Sequence, residues 1–106
     1  MDRLGVEEYL LSHLTGSVSR ADVARYAGVS IRTLSIAFEK HHGIGPMAFL
    51  KLKRLQAANV ELIKAEPGEI SVADVALRYG YTQPSKFSMA YKALFNENPS
   101  DTLYRS

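Results

Sequence analysis

Apolar positions along this chain recur at three- and four-residue intervals, the period of a single helical face. Residues 3–14 carry Leu4, Tyr9, Leu10, Leu11 and Leu14 in this way, which predicts a first helix closed by Thr15-Gly16. The pattern that follows is written twice. Ser19-Arg20-Ala21-Asp22-Val23-Ala24 returns as Ser71-Val72-Ala73-Asp74-Val75-Ala76, and Gly28 returns as Gly80. A second amphipathic run follows each glycine, with Leu34 and Phe38 in the first copy and Phe87 and Tyr91 in the second. The copies are offset by 52 residues up to the glycines and by 53 beyond them, so the second turn holds one extra residue.

Helix boundaries follow from local chemistry. Ser19 and Ser71 read as N-caps whose hydroxyls accept from the N–H three residues on, and Asp22 and Asp74 suit the positive helix start. Val18 with Val23, and Ile70 with Val75, form hydrophobic staples around those caps. Gly28 and Gly80 end short opening helices at about 19–27 and 71–79, because the turn needs a positive φ. Ser30 and Thr82 are the expected caps of the second helices, about 30–42 and 83–95, with Pro84 in a first turn where no N–H bond is lost.

Pro46 then opens a long helix to about Lys64. On its wheel Phe49, Leu52, Leu55, Leu62 and Ile63 form a broad apolar stripe that also contains Gln56 and Asn59, while Lys53, Arg54, Glu61 and Lys64 lie opposite. Ala57 and Ala58 permit close approach. Pro67-Gly68 breaks the chain, and Pro99 starts a short helix to about Tyr104. The predicted fold is all-α with about seven helices. Two helix-turn-helix subdomains are joined by a long central linker helix: residues 1–45 hold the N-terminal helix and the first motif, 46–65 the linker, and 66–106 the second motif with a short closing helix.

Composition narrows the class. A hydrophobic fraction of 46% in 106 residues suits a globular chain, and the absence of cysteine excludes disulfides and zinc–thiolate sites. No apolar run nears the roughly 20 residues of a membrane span, and the start lacks the basic-then-apolar grammar of a secretion signal. A soluble cytoplasmic protein without cofactors is expected. Net charge is only +2, but its distribution is uneven. Arg32, Lys40, Lys51, Lys53 and Arg54 stand against one acid, Glu39, and Arg78, Lys86 and Lys92 against none. The acids Asp2, Glu7, Glu8, Glu61, Glu66, Glu69 and Asp74 gather elsewhere. Cations on the second helix of each copy point to a polyanion.

From about residue 7 to Tyr104 the chain resembles the DNA-binding domain of the AraC/XylS family of bacterial transcriptional regulators. The resemblance rests on Ala27-Gly28-Val29-Ser30-Ile31-Arg32-Thr33-Leu34 leading to Phe38, then on Gly45-Pro46 with Arg54-Leu55 and Ala58. It continues through Val75-Ala76-Leu77-Arg78-Tyr79-Gly80-Tyr81, Phe87-Ser88-Met89-Ala90-Tyr91-Lys92 and Asn98-Pro99-Ser100. It implies sequence-specific binding of double-stranded DNA to regulate, and typically to activate, transcription. It further implies one second helix in each of two successive major grooves, RNA polymerase as a protein partner, and a sensing or dimerising domain ahead of this region. The linker, about 28 Å at 1.5 Å per residue, is commensurate with the roughly 34 Å between grooves.

Candidate base contacts on the first reading helix are Ile31, Arg32, Thr33, Ser35 and Ile36. Arg32 either bridges O6 and N7 of guanine or holds a phosphate, and Ile36 either packs on a thymine methyl or shields the core. The family often carries arginine at the position of Ile36 and a basic side chain at that of Met89. On the second helix the candidates are Gln83, Ser85, Lys86, Ser88 and Met89, with Gln83 suited to adenine and Lys86 to guanine or phosphate. Both helices are poorer in arginine than is usual in the family, which shifts reliance towards phosphates, methyl packing and DNA deformability. Candidate phosphate contacts are Ser30, Lys40, Lys51, Lys53, Arg54, Thr82 and Lys92. The resemblance gives Arg54 a rival role in pairing with an acid. Leu34, Phe38, Leu55, Phe87, Tyr91 and Phe95 are core by spacing.

An enzyme is not expected, since no catalytic triad, zinc-protease motif or phosphate loop is present. Nor do His13, His41 and His42 read as a metal site, because adjacent side chains diverge by about 100° on a helix. The competing class is a helical protein-interaction module that does not bind DNA, docking through the linker helix or the tyrosines.

Overall fold

The computed structural model describes residues 3–105, with side chains described from Gly5 to Arg105. Leu4, assigned above to the first helix's apolar face, and Asp2, counted among the acids, therefore have side chains outside the described residues. Among the described residues seven α-helices are formed: α1 Arg3–Leu11, α2 Arg20–Ala27, α3 Ile31–His42, α4 Pro46–Lys64, α5 Val72–Arg78, α6 Pro84–Phe95 and α7 Pro99–Tyr104. No strand occurs among the described residues. Helix α1 ends three residues before the expected Leu14. The Ser12 hydroxyl donates to the Tyr9 carbonyl at 2.8 Å and the His13 N–H bonds to the Leu10 carbonyl, which closes the helix as a turn.

The caps repeat with the sequence. Ser19 Oγ accepts from the Asp22 N–H at 3.1 Å while the Asp22 carboxylate accepts from the Ser19 N–H at 2.9 Å. Ser71 and Asp74 form the same reciprocal pair at 3.0 and 3.3 Å. The helix ends match as well. At the first, Gly28 has φ +73° and the Val29 N–H reaches back to the Ala24 carbonyl. At the second, Gly80 has φ +90° and the Tyr81 N–H reaches the Ala76 carbonyl. Such a closure requires a left-handed residue, which is why glycine stands in both places.

The chain divides into two compact units, with the boundary inside α4 between Lys53 and Arg54. In the first unit Val6, Leu10, Val23, Ala24, Leu34 and Phe38 pack with Phe49 and Leu50 from the start of α4. In the second, Leu55, Ala58 and Leu62 from the rest of α4 pack with Val75, Ala76, Phe87, Tyr91 and Leu103. The equivalent residues Val23 and Val75, Leu34 and Phe87, Phe38 and Tyr91 are all fully buried, each large side chain contributing about 1.5–3 kcal/mol. Phe95 is half-buried against its cluster. The apolar stripe of α4 differs from the expected one at Ile63, which is exposed. Leu50 and Ala58 are buried instead, Leu50 in the core of the first unit and Ala58 in that of the second.

Candidate nucleic-acid interface

In the first unit, α2, the turn at Gly28 and α3 form a helix-turn-helix whose second helix starts at a side-chain cap. Ser30 Oγ accepts from the Thr33 N–H at 3.1 Å and donates to Thr33 Oγ1 at 3.0 Å. The Ser30 hydroxyl is thereby committed to the helix start, and Thr33 keeps its own proton for an outside acceptor. With Leu34 and Phe38 turned inward, Ile31, Arg32, Thr33 and Ile36 are exposed, and Ser35 is half-buried. Lys40 continues the same outward side one turn further on and is also exposed.

The second unit builds the corresponding surface with one change. The sequence pattern assigns the α6 cap to Thr82, whereas the structure places it at Gln83, in extended backbone at φ −115° and ψ 110° and without a side-chain cap bond. The reason is the extra residue in the second turn. Once the offset is 53, the equivalent of Ser30 is Gln83, and Pro84 at the first helical position holds the residue before it extended. Thr82 lies in the turn, exposed. Gln83, Ser85, Lys86 and Met89 are exposed, Ser88 is half-buried, and Lys92 is exposed a turn later. The side-chain amide of Gln83, free of capping, is left facing outward.

Not every expected cation belongs to this surface. Arg78, counted among the bases of the second copy, is paired with Glu61 of α4. Arg54 is half-buried, with Nε shielded from solvent, beside Tyr81. Burial lowers the Arg54 pKa and Tyr81 opposes that shift, while burial raises the Tyr81 pKa and Arg54 opposes it. A half-buried guanidinium beside Tyr81 is less open to a phosphate than the exposed Lys40, Lys51 and Lys92. Lys53 is half-buried with its ammonium 5.4 Å from the Phe49 ring centroid, a cation–π contact, and Lys51 is exposed.

The spacing did not reveal how α3 and α6 are held from behind. In the second unit Tyr91, on the inner face of α6, accepts from Asn59 Nδ2 at 2.8 Å and donates to Thr102 Oγ1 at 2.7 Å. Thr102 bonds in turn to Glu97, and Glu97 pairs with Arg105. Asn59 standing within the apolar stripe of α4 was the available signal, since a polar residue on a buried face needs an internal partner. In the first unit Phe38 occupies the place of Tyr91, stacked on His42 with ring centroids 4.1 Å apart. His42 Nε2 lies 3.4 Å from the Glu7 carboxylate.

Comparison with known proteins agrees with this architecture. Residues 23–105 match the family model described as a helix-turn-helix domain. The chain is 38% identical over 101 residues to a probable thc operon regulatory protein of Rhodococcus erythropolis, covering 95% of this chain and 30% of that protein. It is 33% identical over 98 residues to XylDLEGF operon transcriptional activator 2 of Pseudomonas putida, covering 92% of this chain and 62% of that protein. The chain therefore spans less than two thirds of these relatives. A crystal structure of a probable AraC family transcriptional regulator from Rhodopseudomonas palustris superposes with a TM-score of 0.84 at 32% identity, over 94% of this chain and 92% of that one. The DNA-binding domain of AdpA, solved in complex with a target DNA, gives 0.81 at 26% identity, over 92% and 86%. The fold is thus a paired helix-turn-helix domain of the DNA-binding class, as in transcriptional regulators rather than enzymes. The chain belongs to the AraC family, in the family's DNA-binding domain.

Proposed function

We propose that this chain binds double-stranded DNA in a sequence-dependent manner to regulate transcription, with α3 and α6 each entering a major groove and the two grooves successive on one duplex. The observation that carries the reading is the shared register of the two outward faces. Arg32, Thr33 and Ile36 on α3 correspond to Ser85, Lys86 and Met89 on α6, each presented by a capped opening helix and a left-handed glycine turn. The unbroken α4 that serves both units supports joint action on a single duplex. Arg32, Gln83 and Lys86 are the side chains suited to base edges, and Lys40, Lys51 and Lys92 to phosphates.

Activation is the favoured direction, because similar proteins from Pseudomonas putida are named as operon activators. Contact with RNA polymerase and a sensing or dimerising domain outside this region belong to the same proposal, the latter supported by the greater length of the relatives.

Fluorescence anisotropy with a labelled duplex tests the reading. Binding should weaken as salt rises, each neutralised phosphate adding about −0.9 to the slope of log K against log salt. On a duplex selected from a random pool, alanine at Arg32, Gln83 or Lys86 should cost about 1–3 kcal/mol where that side chain reads a base, and much less on a scrambled duplex. Equal losses on both would show that these side chains do not read bases. A protein-interaction module would show neither binding nor salt dependence.

A further inference from the structure

Ile36 and Met89 occupy the same place in the two units. They are 53 residues apart, the offset that also relates Leu34 to Phe87 and Phe38 to Tyr91. Those flanking residues are fully buried, yet Ile36 is 59% exposed and Met89 73% exposed. Two large apolar side chains thus stand at matched positions on the outward face of α3 and α6. Neither shields the core from behind, since the residues two before and two after each already fill it.

Their surroundings are polar and mostly cationic rather than apolar. At 100° per residue, Arg32 and Lys40 lie within about 40° of Ile36 on the helix wheel, one turn before and one turn after it, with Thr33 and the single acid Glu39 about 60° to its sides. Around Met89 the neighbours one turn away are Ser85, Lys86, Lys92 and the small Ala93, and α6 carries no acid along its whole length. A helix face built to dock on another protein presents a row of apolar side chains. A single apolar side chain between cations instead fits a polyanion bearing one small apolar spot. In the major groove that spot is the C5-methyl group of thymine, the one apolar feature among the base edges.

We propose that Ile36 and Met89 are specificity-determining positions, each packing on the C5-methyl of one thymine, so that the preferred DNA site carries a methyl-dependent thymine under each reading helix. The proposal rests on the reading of α3 and α6 as groove-facing helices and deepens it. A rigid β-branched side chain makes Ile36 the more exacting of the two. The flexible thioether of Met89 adapts to small shifts of the base.

The test uses duplexes recovered by selection from a random pool, with thymines replaced one at a time by deoxyuridine, which pairs identically but lacks the methyl. One replacement under each helix should weaken binding about fourfold, the effect of losing one buried methyl. Sensitivity at the first position should vanish in Ile36→Ala and persist in Met89→Ala, and the reverse should hold at the second. Thermal melts should show both variants folded, since each side chain is exposed. Binding that is indifferent to every deoxyuridine, or a sensitivity that survives in both alanine variants, overturns the proposal while leaving groove binding intact. Failure of the unmodified chain to bind any duplex would instead overturn the groove-facing reading on which it rests.

Discussion

The two units carry one motif but secure their second helices, α3 and α6, by different chemistry. The first holds α3 through an aromatic interior, with Phe38 fully buried, stacked on His42 and set edge-on to Phe49. The second holds α6 through a polar chain running from Asn59 to Tyr91, Thr102, Glu97 and Arg105. The helix starts diverge too. A serine hydroxyl caps α3, whereas Pro84 and an uncapped Gln83 open α6. An apolar interior fixes a helix by shape and tolerates small shifts. A satisfied polar chain fixes rotation and depth as well, because each broken link leaves a buried group without a partner.

The largest effects should come from emptying either interior. Phe38→Ala and Tyr91→Ala should each cost about 3–5 kcal/mol in chemical denaturation, with hydrogen exchange rising mainly in the unit that carries the change. Tyr91→Phe isolates the polar chain. It removes the acceptor of Asn59 and the partner of Thr102, and should cost about 1–3 kcal/mol, with exchange rising along α6 and α7 and not along α3. An unchanged stability would mean the chain of hydrogen bonds does not hold α6.

A smaller difference is expected at the helix starts. Ser30→Ala should lose about 1 kcal/mol, while Gln83→Ala should leave stability unchanged in the same denaturation assay, because no cap bond is lost. A comparable loss in both would contradict the assigned caps. The smallest effect concerns acid. Backbone and side-chain hydrogen bonds from Ser19, with Arg25 3.2 Å away, hold the Asp22 pKa below its ordinary value of 3.8. Since the folded-state value is the lower one, the stability this carboxylate contributes is present above 3.8 and is lost as pH falls through the depressed value. Asp22→Asn should therefore flatten the acid limb of the first unit's unfolding profile, followed by amide exchange in α2. The second unit has Leu77, exposed, where the first has Arg25.

Nearly all of the framework was legible in the sequence because it is set by local chemistry. Pro46, Pro84 and Pro99 mark three helix starts, the Ser–Asp pairs mark two more, and the glycine turns place the ends. Leu34, Phe38, Leu55, Phe87 and Tyr91 followed from helical period, which nevertheless misplaced the exposed Leu11 and Ile63. The early end of α1 was not legible, since a Ser12 hydroxyl turning back to Tyr9 leaves no trace in apolar spacing. The shift of the cap from Thr82 to Gln83 could be read only by carrying the extra turn residue into the alignment of the copies. Tertiary partners were the least visible. The pairing of Arg78 with Glu61 leaves no trace in apolar spacing, nor does the half-buried place of Arg54 beside Tyr81, for which a phosphate contact and a pairing with an acid were both expected. Exposure of the reading face was legible, because whatever lies opposite Leu34, Phe38, Phe87 and Tyr91 must point outward.

An amide chemical-shift titration of the isotopically labelled chain with a selected duplex tests whether α3 and α6 act together on DNA. Amides of residues 30–40 and 82–92 should move together with one midpoint, and raised salt should shift that midpoint for both. Movement confined to one helix would contradict the paired reading. Movement centred instead on Val60, Ile63 and Leu77, the exposed apolar residues of α4 and α5, would contradict the DNA-facing assignment itself.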